Sequence, residues 1–328
     1  MAKTVLDRDC CANIIMTLDH LDADTQKIRD QQYMTVEVNE DAKHAQLTLP
    51  DLKTLAPIKL VALDLDGTTL REDKTFSPML IDTIHKVQDM GVTVAICSGR
   101  APESVAEFAH ILGLDKGHGY CVCFNGGALI NLEDITKDLS VNCLNAQDLI
   151  DVEALAVQNG CAIHAYSDRR VLLTESNIVF TEMEIAASMQ PFEKILFPDE
   201  VNTKEQVYKI IAVGDESKLD QMREHCPAEF NERFNIARTH ANFLEFMNKD
   251  CSKGATLKRL CDLLGITLEN VVAFGDAEND IEMIAQVGVG VAVANAMPRL
   301  KAVAKYHTYN YLDDGVAIYL QKLLGISL

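Results

Sequence analysis

From Lys59 onward, short unbroken apolar runs alternate with segments whose apolar positions recur every three or four residues. IKLVALDLDG reads as a buried strand, and SPMLIDTIHKVQDMG as a helix ending at Gly91. GVTVAICSGR is a second strand, APESVAEFAHILG a second helix, and YCVCFNGG a third strand with a glycine turn. Strands that alternate with helices in this way predict a parallel sheet covered on both faces. Between about 140 and 250 the pattern changes. NAQDLIDVEALAVQNG and KLDQMREHC read as helices, and CAIHAYS, VLLTES, QVYKIIAVGD, RFNIARTH and NFLEFMN as strands. The first pattern then resumes with the helix KGATLKRLCDLLGI, the strand NVVAFGD, the helix NDIEMIAQVG, the strand VGVAVAN and the helix GVAIYLQKLLG. The expected architecture is α/β: a three-layer parallel-sheet core made from residues 57–140 and 249–328, interrupted by a smaller α/β domain at 141–248. Residues 1–56 form an N-terminal extension of unassigned structure, with an amphipathic helix conceivable near residues 9–20.

Composition narrows the class. A chain of 328 residues suits about two domains, and 48% hydrophobic residues supply a substantial core. Net charge is −19, from 49 acidic against 30 basic residues, so nucleic-acid backbones and anionic membranes are poor partners. An anionic substrate would need a bound cation to change the local field. No apolar run approaches the roughly 20 residues that cross a bilayer. The N-terminus lacks a signal-type apolar region, and Asp19, Asp22 and Asp24 come early, so a cytoplasmic protein is expected. The ten cysteines contain no CxxC pair repeated at zinc spacing and read as small apolar groups.

Candidate chemistry gathers at strand ends, where ligands bind in parallel sheets. Asp64, Asp66, Ser98 and Asn125 all fall there. Two carboxylates so near an apolar run are costly unless compensated. They could be a solvated strand end, or hard oxygen ligands for Mg²⁺, which combines carboxylates with water and phosphate. FGDAEND places Asp276, Asn279 and Asp280 at another strand end, where a helix cap competes with metal binding. Ser98-Gly99-Arg100 offers a hydroxyl and a flexible amide to an anion, or a cap before Ala101-Pro102. Lys253 is a compact cation for phosphate or a solvated lysine. Asn125 enters a cleft or only makes the turn before Gly126. Neither GxGxxG nor GxxxxGK[ST] follows a strand, which removes dinucleotide and P-loop chemistry.

The ordered set DxDGT, S-G after a strand, Lys, then GDxxND resembles the haloacid dehalogenase superfamily of phosphohydrolases. Only 31 residues separate Asp66 from Ser98, whereas 154 separate Ser98 from Lys253. That places the insertion as in the Cof-type subgroup with its C2 cap. VAVANAMPRLKAVAKY followed by DDGVA is also similar to that subgroup, and the resemblance covers residues 58–328. Thr69 departs from the Leu that is frequent there, with no catalytic consequence expected. The resemblance implies a Rossmann-like core, Asp64 as nucleophile and Asp66 as general acid and base. It implies Mg²⁺ on the Asp64 carboxylate, the Asp66 carbonyl and Asp276. Ser98, the Gly99 and Leu65 amides, Lys253 and Asn279 would hold the phosphoryl oxygens. Asp280 would orient Lys253 or metal-bound water, with Asn125 nearby. The expected activity is hydrolysis of a small phosphorylated metabolite, above all a sugar phosphate. A phosphotransferase such as a hexose phosphomutase is the alternative enzyme. A non-catalytic phosphometabolite sensor is the other alternative, disfavoured by the presence of both Asp66 and Asp276. No cap residue and no oligomeric state are assigned.

Overall fold

Continuous apolar runs make interior strands here because helices cover both faces of the sheet, so every side chain along the strand is buried. The computed structural model describes residues 5–6, 47–117, 119–167, 170–174, 181, 192–196, 199–201, 204 and 206–328. The chain divides into two compact units: Val38–Val141 with Cys251–Leu328, and Met1–Glu37 with Asn142–Asp250. The helix considered near residues 9–20 lies outside the described residues.

The first unit carries the strands β1 (Leu60–Leu63), β2 (Thr93–Cys97), β3 (Gly119–Cys123), β4 (Ala128–Asn131), β5 (Asp138–Val141), β6 (Val271–Gly275), β7 (Val289–Ala292) and β8 (Tyr306–His307). Among the described residues they form one sheet in the order β8-β7-β6-β1-β2-β3-β4-β5. All pairs from β8 to β3 are parallel, and register sets Leu63 beside both Phe274 and Ile96. β4 and β5 depart from the expected all-parallel sheet: each runs antiparallel to its neighbour. The reason is local. The turn after β3 is short, so the chain doubles back as a hairpin, with no helix available to make a crossover.

The helices are α1 (Pro78–Asp89), α2 (Pro102–Ile111), α3 (Lys253–Leu264), α4 (Ile281–Gln286), α5 (Pro298–Val303) and α6 (Gly315–Leu324). Their starts follow capping chemistry. Ser77 accepts from Leu80 N ahead of Pro78, and Ser252 accepts from Ala255 N at the head of α3. α1 buries Leu80, Ile84 and Val87, and α3 buries Leu257, Leu260 and Cys261. In the middle of the unit, Phe274 of β6 meets Tyr319 of α6 edge to face, 5.5 Å between centroids. The last part of the predicted extension joins this unit: Thr48 N donates to His307 O at 3.0 Å beside the edge strand β8.

The second unit is a seven-stranded sheet among the described residues. Its order is Val5–Leu6, Phe192–Lys194, Arg170–Leu173, Ala162–Ser167, Val207–Val213, Phe243–Asn248, Phe234–His240. Pairing is antiparallel except between Arg170–Leu173 and Phe192–Lys194. One face buries Ile163, Ala165, Ile210, Ala212, Leu244 and Phe246 against Leu149 and Val152 of helix Ala146–Gln158 and Leu219 and Met222 of helix Glu216–Glu224. Phe230, Phe234 and Phe246 add edge-to-face contacts at 5.1–6.5 Å. The strand Phe192–Lys194 was not expected; three residues are too few to carry a period. Among the described residues Cys97, Cys121, Cys123, Cys161, Cys226 and Cys261 are free thiols. No described helix is long and apolar enough to cross a membrane.

Candidate active site

β1 and β6 are neighbours, so the segments leaving their carboxyl ends are brought together although more than 200 residues apart in sequence. Asp64 continues β1 far enough for its N–H to donate to Phe274 O at 3.2 Å. The chain then turns sharply: Thr68, Thr69 and Leu70 N–H groups all donate to Leu65 O, and Gly67 has φ +80. Glycine is required there twice over. Its φ is left-handed, and a Cβ would sit 2.5 Å from Asp276 Oδ2. The turn sends the two aspartates to different surroundings. Asp64 is 6% exposed, while the Asp66 side chain is about half-exposed.

Lys253, the first residue of α3, is 1% exposed and lies between two carboxylates. Its Nζ donates to Asp64 Oδ1 and to Asp280 Oδ1, each at 2.7 Å. Asp280 Oδ2 accepts from the Asp276 and Ala277 N–H groups, each at 3.1 Å. Both Asp280 oxygens are therefore engaged in fixing other groups. Thr68 Oγ1 donates to Asp276 Oδ1 at 3.1 Å, and Thr69 Oγ1 to Asp64 O at 2.6 Å. Asn295 Nδ2 secures the turn by donating to Gly67 O.

Carboxylate oxygens of Asp64, Asp276 and Asp280 lie within 4.8 Å of one another. One buried ammonium against three carboxylates leaves an excess of negative charge. Burial raises the Asp64 pKa well above the usual carboxylate range, and the Asp280 charge adds to it. Burial and then Asp280 push Asp276 up to about 6. For Lys253 burial works against the charge, but Asp280 and Asp64 outweigh it and hold the ammonium protonated. A hard divalent cation fits this set: Asp64 and Asp276 each keep one oxygen outside the Lys253 and Thr68 bonds, and their ionisation is what the site lacks charge to support.

Asp66 has other company. Burial would raise its pKa, yet the Arg100 hydrogen bonds and charge, followed by Lys74, bring it down to about 2. Arg100 reaches it with two bonds, Nε to Oδ2 and an NH2 to Oδ1, both 2.8 Å. Lys74 Nζ adds a third at 3.0 Å to Oδ1. Sequence reasoning missed both partners. Arg100 was visible beside Ser98-Gly99, but nothing in the spacing aimed it at Asp66. Lys74 sits in the turn REDKT with φ +61, which no periodicity announces.

Ser98 is 2% exposed, with its N–H on Val122 O at 2.8 Å and its Oγ accepting from Arg100 N at 3.2 Å. Gly99 follows it. Asn279 donates through Nδ2 to Asn125 Oδ1 at 2.9 Å. The structure thus gathers at one end of the sheet Asp64, Leu65, Asp66, Ser98, Gly99, Asn125, Lys253, Asp276, Asn279 and Asp280. They come from the carboxyl ends of β1, β2, β3 and β6 and from the head of α3.

Comparisons with known proteins identify the family. A family model described as haloacid dehalogenase-like hydrolase matches residues 61–320. A Streptococcus pyogenes protein named "Putative phosphatase" is 32% identical over 270 residues, covering 81% of this chain and 98% of that protein. The solved structure of a haloacid dehalogenase-like hydrolase from Bacteroides thetaiotaomicron is 28% identical with a TM-score of 0.73, covering 81% of this chain and 99% of that one. A solved structure described as the subclass IIB sugar phosphatase BT4131 shares the fold at 19% identity, with a TM-score of 0.66 and coverage of 82% and 100%. The chain belongs to the haloacid dehalogenase-like hydrolases.

Proposed function

We propose that the chain is a Mg²⁺-dependent phosphatase of small phosphomonoesters, with sugar phosphates as its substrate class. The observation that carries this reading is the buried Lys253 between Asp64 and Asp280, with Asp276 beside them and too little positive charge for the three. The phosphatase name of the S. pyogenes relative and the sugar-phosphatase description of BT4131 support it.

Asp64, the Asp66 carbonyl and Asp276 would hold Mg²⁺. When bound, the ion supplies charge neutralisation that lets a carboxylate approach a phosphate dianion. Lys253, Ser98, Asn279 and the Gly99 and Leu65 amides receive the phosphoryl oxygens and fix them before reaction. Asp64 attacks phosphorus through a carboxylate oxygen. The P–O ester bond breaks, and the leaving oxygen takes the proton of Asp66. Substrate competes with Asp66 for the Arg100 and Lys74 cations, and this competition allows Asp66 to take up its proton. In the second half Asp66 accepts a proton from water, which attacks the aspartyl-phosphate, releases orthophosphate and restores Asp64. Asp280 keeps Lys253 in place. The unit Asn142–Asp250 is proposed as the cap that selects the leaving group.

The test is phosphate release from a panel of esters with and without Mg²⁺, wild type against Asp64→Asn. Loss of turnover on the order of 10³-fold or more is expected in the variant. Equal rates would remove Asp64 as nucleophile, and isomerised ester with little free phosphate would make the enzyme a phosphotransferase.

A further inference from the structure

The phosphate-receiving groups lie on separate loops, and one further turn touches three of those loops. Phe124–Gly126 follows β3 directly. Phe124 and Asn125 both have left-handed backbones, φ 52 and 53, and Gly126 has φ 103. A non-glycine residue there is strained, and two in succession persist only where the surroundings fix them. The surroundings do so here. Phe124 N donates to Arg100 O at 3.1 Å, Asn125 N to Ser98 O at 3.0 Å, and Thr256 Oγ1 to Gly126 O at 2.8 Å. A Cβ on Gly126 would lie 2.2 Å from Ser252 O, the residue before Lys253.

Reversing the chain this way turns the Asn125 side chain inward, 9% exposed. Its Oδ1 accepts from Asn279 Nδ2. Its carboxamide also lies against Gly99, where a Cβ would be 3.1 Å from both Oδ1 and Nδ2. Glycine at 125 would satisfy the turn alone. The carboxamide adds a bond that the turn does not need. Asn279 is on the exposed side of its loop, and its amide has two N–H donors. Committing one to Asn125 fixes the rotamer and leaves the other for an anion.

The geometry points to Asn125 as a positioning residue for the phosphoryl group: its carboxamide holds the Asn279 side chain and the Gly99 backbone ready, without touching the reacting atoms. The inference rests on the reading above that Gly99 and Asn279 receive phosphate.

Asn125→Gly keeps the left-handed backbone and removes only the carboxamide. Orthophosphate binding in Mg²⁺, measured by calorimetry, reads the effect without requiring turnover. The variant is expected to unfold within about 3 °C of wild type and to bind orthophosphate about tenfold more weakly. Adding Asn279→Ala to it should cost less than about twofold more. In an Asn125→Asp background, which keeps the acceptor, Asn279→Ala should still cost at least about fivefold. Binding by Asn125→Gly within about twofold of wild type, or losses that multiply in the double variant, overturns the inference, as does absence of orthophosphate binding by wild type. If wild type turns over esters, Asp64→Asn does not, and Asn125→Gly binds like wild type, then this inference fails and the phosphatase reading stands.

Discussion

Asp276 shows what a buried carboxylate costs a fold. Its pKa in the folded chain, about 6, stands above the ordinary carboxylate value because burial and the Asp280 charge oppose its ionisation. The folded state therefore holds a proton on Asp276 that the unfolded chain releases near pH 4. The stabilisation is present below about pH 4 and is lost as pH rises through about 6. In EDTA, thermal unfolding of wild type should move to lower temperature across that window, and Asp276→Asn should move less. At pH 7 added Mg²⁺ should raise the wild-type transition and leave the variant unchanged, because a bound cation stabilises only the folded protein that can hold it. An Asp276→Asn transition that still rises with Mg²⁺ would remove Asp276 from the metal set.

Asp66 is the opposite case, a half-exposed carboxylate held by three hydrogen bonds from Arg100 and Lys74. Lys74→Met should leave release of an activated leaving group such as dinitrophenolate within about twofold of wild type in the first turnover. Release of a sugar alcohol, which on the proposed mechanism takes the proton of Asp66, should quicken about threefold or more, because without Lys74 the carboxyl holds its proton more readily. A uniform loss for both leaving groups would mean that Lys74 acts on the fold and not on Asp66.

At the scale of elements, the site is a set of loops pinned by close backbone contacts. Gly126→Ala is the harshest test, since the new Cβ meets Ser252 O at 2.2 Å on a left-handed backbone. Urea unfolding should register a loss of about 3 kcal/mol or more, with lowered activity, because the displaced residue adjoins Lys253. This packing also explains what could be read in advance. Asp64, Asp66, Ser98 and Asp276 announced themselves because each interrupts or ends a run of apolar residues at a strand's carboxyl end. The helices α1, α2 and α3 were legible from their periods and their serine, proline and glycine boundaries. β4 and β5 were not, because ALIN runs straight on from the glycine turn and DLSV is half polar, so neither stands out as an apolar run. Lys74 and Arg100 were invisible as partners of Asp66, because their roles depend on where a turn points a long side chain. Asn125 was visible as a turn residue, but its bond to Asn279 joins positions 154 apart and has no local signature.

At the scale of the molecule, the decisive fact is the strand order. β6, formed by Val271–Gly275, lies between β1 and β7 and is the parallel neighbour of β1. The sheet therefore ends at β1 until the last part of the polypeptide adds β6, β7 and β8, and such long-range pairing is slow to form. Asp276 and Asp280 come with that strand, about five-sixths of the way along the 328 residues. A nascent chain on the ribosome thus exposes the unpaired flank of β1 and carries half of the proposed reaction centre for most of its synthesis. A protein truncated before Val271 should be an aggregating, inert polypeptide and not a weakened enzyme, because one late event both completes the sheet and creates the chemistry.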